Sequence, residues 1–305
     1  MKTVLSKRRA TSLAFINDDC VHAMDQMPNQ SVDVAVLSCP YNLGIKYDVY
    51  DDKRSMNDYL CWCSQWLGAL ARVLSVHGSI FLNVGWKSTQ PDIAERVLLV
   101  AQTYGLELQN KLAWVKSISI PVKTKKDVIK EAAAHAGLDK KATRSLVRSF
   151  AELEGNGIMR TFGHIKTQKS QRFVNDSYEM IYHLTLSNDV EIDRLGFGVP
   201  FEDKTNINRF GAAGRPDVRC RGNTWFLPYP TIQARRPHPA PFPLALPEAC
   251  IKLHGVSRAK HVLDPFGGSG TTAEACVALG VERCTSIELS AKYHKMSVAR
   301  IRGLA

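Results

Sequence analysis

Apolar residues change period several times along the chain, and each change marks an element. The run VDVAVL (32–37) is almost continuously apolar, as in a strand buried on both faces. In DYLCWCSQWLGALARVL (58–74), Tyr59, Trp62, Cys63, Trp66, Leu67, Leu70 and Leu74 recur at helical spacing and predict a helix with a core-facing stripe. GSIFLNVG (78–85) predicts a second strand and DIAERVLLVAQTYG (92–105) a second helix. LQNKLAWVK (108–116) predicts the strand that closes this first region, residues 1–116.

From 117 to 236 the pattern loosens. KKDVIKEAAAHAGLDKKATRSLVRSFAELEG predicts a helical hairpin over about 125–154, with Gly137 as the stop and Asp139 as cap of the second helix. YEMIYHLTL (178–186) reads as a strand of the sheet. Regular alternation returns over 237–305: FPLALPEACIKLHG predicts a helix, HVLD a strand, GTTAEACVALG a helix and RCTSIEL a strand. Strands and helices that interleave on both sides of an irregular middle imply one α/β domain, with a mainly parallel sheet and an inserted module.

Charge sharpens this division. The chain of 305 residues carries +11, and between Pro121 and Arg172 twelve Lys and Arg face five Asp and Glu. A basic insertion suits a polyanionic partner. Eight cysteines without a CxxC pair predict reduced thiols, neither a zinc site nor a redox pair. His164 and His238 stand without metal-ligand spacing around them, and no metal is expected. No apolar run is long enough to span a bilayer and the first residues lack a signal-peptide core, so the expected place is the cytoplasm.

HVLDPFGGSGTTAEACVALG holds the clearest chemistry. A strand ends at Asp264, a turn with Gly267, Gly268 and Gly270 follows, and a helix opens at Thr271. Such a turn lets a ligand approach the backbone and meet helix N–H groups. A second strand then ends at Glu288, an acid able to accept both hydroxyls of a ribose. The expected ligand contains a nucleoside. No Lys follows the glycines, which excludes a P-loop, and Pro265 and Phe266 crowd a turn that would have to cradle a pyrophosphate.

DPFGGSGTT closely resembles the S-adenosylmethionine-binding motif of DNA amino-methyltransferases, and SCPY (38–41) resembles their catalytic tetrapeptide. The catalytic motif comes first and the cofactor motif last, the order of the β group of that family. The stretches NDDCVHAMDQMPNQSVDVAVLSCPYN, RCRGNTWFLPY and RPHPAPFPLALPEACI are also similar to family segments, so the resemblance spans most of the chain except about 120–159. It implies a Rossmann-like S-adenosylmethionine-dependent methyltransferase fold, a mixed mainly parallel sheet with helices on both faces plus a target-recognition insertion. Catalytic and cofactor halves would lie in 1–116 and 237–305.

Carried onto this sequence, the resemblance assigns the cofactor S-adenosylmethionine to Asp19, Phe242, Pro243, Asp264, Phe266, Gly267, Gly268, Gly270, Thr271 and Glu288. Ser38, Cys39, Pro40 and Tyr41 form the catalytic corner. The Ser38 hydroxyl and the carbonyl of Cys39 or Pro40 would accept the two hydrogens of an exocyclic amine, with Tyr41 stacking on the extruded base. Ser at the first position is commoner among cytosine-N4 enzymes, so N4-methylation of cytosine is expected, with adenine N6 as the alternative. An RNA methyltransferase and a non-catalytic DNA-binding relative are further rivals. Cys39 departs from the usual proline; the order Cys-Pro, followed by Tyr-Asn, argues for a small packing residue and against a thiolate nucleophile. Lys166, Lys169, Arg172, Arg219 and Arg221 are the candidates for contacts to double-stranded DNA, and Glu179 echoes a family stretch without an assigned role. The family also leaves open a homodimer and a cognate restriction endonuclease.

Overall fold

The structure, a computed structural model, describes residues 2–8, 10–123, 125–151, 158–163, 170–212, 214–230 and 238–303. The strands are β1 (Lys2–Arg8), β2 (Thr11–Asn17), β3 (Val32–Ser38), β4 (Leu74–Val84), β5 (Glu107–Lys123), β6 (Ile158–Gly163), β7 (Tyr178–Thr185), β8 (Val199–Pro200), β9 (Val218–Arg219), β10 (Thr224–Pro230), β11 (His261–Asp264) and β12 (Arg283–Glu288). The helices are α1 (Cys20–Asp25), α2 (Met56–Val73), α3 (Ile93–Gln102), α4 (Lys125–His135), α5 (Lys140–Ala151), α6 (Ile207–Phe210), α7 (Ala245–His254), α8 (Thr271–Leu279) and α9 (Ala291–Arg302).

Among the described residues, ten strands form one sheet in the order β1-β2-β12-β11-β3-β4-β7-β5-β10, with β6 on β5 beside that path. β2, β12, β11, β3 and β4 run parallel; β7 is antiparallel to both β4 and β5, and β10 is parallel to β5. The apolar runs VDVAVL and HVLD lie in the middle of this sheet, where both faces are covered and no polar alternation is required. On one face α1, α2 and α3 pack Met24, Trp66, Leu70 and Val97 against Leu37, Leu82 and Tyr182. On the other, α7, α8 and α9 pack Ile251, Cys276 and Ile301 against Val34, Phe81 and Val262. The two faces thus belong to helices from opposite ends of the sequence.

The expected strands and helices are present, and several elements go beyond them. The β1–β2 hairpin and α9 were not expected. β5 continues past Lys116 to Lys123, so the boundary expected at 116/117 falls inside a strand. β10, from the segment RCRGNTWFLPY, pairs with β5 and carries the sheet into the middle region. The helical hairpin is present as α4 and α5, with Gly137 at φ +67° and Asp139 accepting from the Ala142 N–H at 2.7 Å.

Candidate active site

The parallel strands end on one side of the sheet, where a cavity of about 470 Å³ opens. β3 delivers Ser38 there and β4 delivers Asn83; the two are paired in register. β11 leads into the glycine turn and β12 ends at Glu288. β5 and β7 add Lys116 and Glu179, and residues 238–242 close the remaining side.

The glycine turn is held from behind. Asp264 is only 1% exposed, accepts from the Phe266 N–H (3.0 Å) and the Thr272 hydroxyl (2.6 Å), and lies outside the cavity lining. Burial pushes its carboxyl up to about 7. A Cβ on Gly267 would stand 2.0 Å from the Ser286 hydroxyl, so the turn rests directly on β12. Gly268 and Gly270 have φ of +47° and +81°, and no side chain caps α8, so its N-terminus faces the turn uncapped. Glu288 accepts from the Gly268 N–H (2.8 Å) and the Ser290 N–H (2.7 Å), and burial raises its carboxyl above the usual range. A carboxylate has about four lone-pair sites, so two remain to receive hydroxyl groups.

Around this turn the walls are aromatic. Phe266 meets Trp62 and Trp66 at centroid distances of 5.7 and 5.4 Å. His238 packs on Tyr293 at 4.6 Å and its protonation is pushed down to about 4 by burial, so it is a neutral wall at neutral pH. Asp19 caps α1, accepting from the Val21 N–H at 2.9 Å, and also lines the cavity. Phe242, Gly267, Gly268 and Thr271 line it too; Pro243 and Gly270, like Asp264, do not. Acid, aromatic walls and a helix N-terminus together fit a nucleoside joined to a charged amino-acid tail.

At the corner, Cys39 is 2% exposed and burial pushes its thiol well above the ordinary value, as expected of a packing residue. The Pro40 carbonyl already accepts from Tyr59 of α2 at 2.9 Å, which leaves the Cys39 carbonyl as the better second acceptor for an amine. Tyr41 is 9% exposed, a narrower stacking face than expected; its hydroxyl meets Ser38 Oγ (2.5 Å), Asn83 Oδ1 (3.0 Å) and Glu179 Oε2 (3.3 Å). Glu179 is also ion-paired with Lys116. Trp86 and Tyr178, 4.9 Å apart, provide further rings at the cavity.

Of the DNA candidates, Arg172 is exposed on the segment leading to Asp176 and Tyr178 at the cavity. Arg219 and Arg221 do not line it: they precede β10, and the Arg221 guanidinium lies over Phe197 at 4.1 Å and donates to its carbonyl at 3.3 Å. His164, Lys166 and Lys169 lie outside the described residues. Trp62, expected to face only the core, turns its ring into the cavity, and Asn83, Lys116 and His238 join the lining unforeseen. An Asn inside the apolar run FLNV was the one signal for Asn83.

The model for a DNA methylase family of the N6/N4 group matches residues 32–299. The type II methyltransferase M.ScaI of Streptomyces caespitosus is 26% identical over 97% of this chain and 83% of its own length. M.MjaVI of Methanocaldococcus jannaschii is 32% identical over 37% of this chain, a match spanning 60% of that protein. Among solved structures, PvuII DNA methyltransferase (cytosine-N4-specific) superposes with a TM-score of 0.57 at 16% identity, covering 97% of this chain and 90% of that one. The Thermus thermophilus protein TTHA0409, complexed with S-adenosyl-L-methionine, gives 0.51 at 17% identity, covering 94% and 91%. With the glycine turn and the SCPY corner on one cavity and the family match running through both, this chain belongs to the N6/N4 DNA methylase family.

Proposed function

We propose that the chain transfers a methyl group from S-adenosylmethionine to the exocyclic N4 amine of cytosine in duplex DNA. The observation that carries this reading is the cavity shared by the glycine turn with Glu288 and the Ser38 corner, brought together by adjacent strands β3, β11 and β12. The cofactor supplies an electrophilic sulfonium methyl group. Glu288 receives the ribose hydroxyls, Asp19 and the Phe266–Trp62 wall hold the adenosine, and the α8 N-terminus with Phe242 borders the amino-acid end. Ser38 Oγ and the Cys39 carbonyl would accept the two amine hydrogens, which withdraws the nitrogen lone pair from the ring and frees it for attack on the methyl; the electron pair of the broken bond stays on the sulfur as a neutral thioether, and the amine gives up one proton to solvent. Tyr41, Trp86 and Tyr178 stack on the extruded base. No protein nucleophile is needed, and the buried Cys39 thiol supplies none. Ser38 in the tetrapeptide favours cytosine over adenine.

Duplex DNA and labelled cofactor, digested to nucleosides and analysed by mass, provide the test. N4-methylcytosine is expected, and Ser38→Ala should lower kcat about a hundredfold, as for loss of one transition-state hydrogen bond, while leaving cofactor affinity unchanged. N6-methyladenine would transfer the assignment to the adenine branch of the family. A folded protein that binds cofactor and DNA without methylating either base would overturn it.

A further inference from the structure

Two obligate acceptors beside the Tyr41 hydroxyl, Asn83 Oδ1 and Glu179 Oε2, fix the direction of every hydrogen bond in the corner. Asn83 donates through Nδ2 to the Met180 carbonyl at 3.1 Å, and a carbonyl can only accept, so Asn83 must present Oδ1 to Tyr41. Glu179, paired with Lys116, presents a carboxylate, which also can only accept. The Tyr41 proton therefore points to Asn83 or Glu179 and away from Ser38. Burial holds Tyr41 well above its ordinary ionisation range, so the proton stays on it. Tyr41's oxygen is then the acceptor of the 2.5 Å contact, and Ser38 is the donor. A serine whose one proton is committed to Tyr41 has only lone pairs left for the cavity.

We infer that Glu179, braced by Lys116, is a positioning residue that acts through the Tyr41 hydroxyl to keep Ser38 an obligate hydrogen-bond acceptor toward the target amine. Without that bias the Ser38 hydroxyl could rotate and present its proton to a nitrogen whose lone pair must remain free. Gly85 makes room for the arrangement: a Cβ there would come within 2.9 Å of the Tyr41 ring and 3.0 Å of Glu179 Oε1. The inference rests on the amine chemistry proposed above but holds equally for cytosine and adenine.

A double-mutant cycle tests it. Tyr41→Phe keeps the ring and removes the relay; it should lower kcat about tenfold or more, with cofactor Kd and the KM for DNA nearly unchanged. Glu179→Gln, whose amide N–H can donate to the Tyr41 oxygen and so compete with Ser38 for that acceptor, should lower kcat similarly, and Glu179→Asp should recover most of the activity. If Glu179 acts through Tyr41, Glu179→Gln should cost little more in a Tyr41→Phe background. Multiplying effects, or a fully active Tyr41→Phe, would overturn the inference, as would a Glu179→Gln whose only change is in the KM for DNA. Should Tyr41→Phe fail to fold, shown by lost cofactor binding, equal activities of the Gln and Asp variants would overturn it instead. A wild-type protein that yields no methylated amine would strike the proposed function itself, which separates the two failures.

Discussion

Asp264 never reaches the cavity, yet its carboxyl ties the first half of the glycine turn to Thr272 in the helix that follows. Its folded value of about 7 stands above the unfolded 3.8, so the folded state holds the proton more tightly. The stabilisation from this group is complete below the unfolded value and is lost as pH rises through the folded one. Asp264→Asn keeps a side chain of the same shape without the ionisation. The Tm of the variant relative to wild type should therefore become more favourable from about pH 5 to about pH 8, and melting curves across that range check it; a constant offset would show that Asp264 does not titrate there. Glu288 and Ser38 stand out in the sequence because each sits in a contiguous motif with a strand before it; Asp264 stands out the same way, but it lies behind the turn and not in the cavity where a cofactor contact was expected of it. Glu179, Lys116 and Asn83 act together only because β4, β7 and β5 are neighbours, and that pairing leaves no local mark. Trp62 misled in a different way: its spacing matches the core stripe, and only the placement of α2 beside the cavity gives one ring of that stripe to the site.

Among the elements, the α4–α5 hairpin has the simplest attachment. Lys123 and Ile158 are cross-strand partners, so the helices hang from the open end of the β5–β6 ladder. Cross-strand partners stand about 5 Å apart, a gap that a two-residue turn can close. Replacing 124–157 by Asn-Gly should leave folding and cofactor affinity intact and weaken DNA binding, if the hairpin docks beside the target site. Calorimetry with the cofactor and a DNA titration decide this; lost cofactor binding in a folded variant would contradict the placement. The hairpin was readable from Gly137 and Asp139, which mark where one helix must stop and the next can start. β1 was not, because Lys2, Ser6 and Lys7 break its apolar pattern. The two lysines suit an edge strand, where their charges discourage pairing with another chain. β5 was read short because Pro121 lies within it, a residue that normally ends a strand.

At the scale of the whole molecule, the sheet order interleaves the two halves of the sequence. β2 and β3 are neighbours along the chain but are held apart by β12 and β11, which pair with each of them on opposite sides. A chain ended before His261 would leave both β2 and β3 with unpaired inner edges and would lack α8 and α9 over their face. Such a fragment should show neither a cooperative melting transition nor protected amides in β3, which hydrogen exchange would reveal; a native-like, protected β3 would refute the dependence. During synthesis, then, the SCPY corner leaves the ribosome early and has to wait. Its strand stays open until HVLD and RCTSIE emerge and slide between their older neighbours. Folding of the site thereby depends on the strands made after it: a product terminated before them should be unable to methylate DNA.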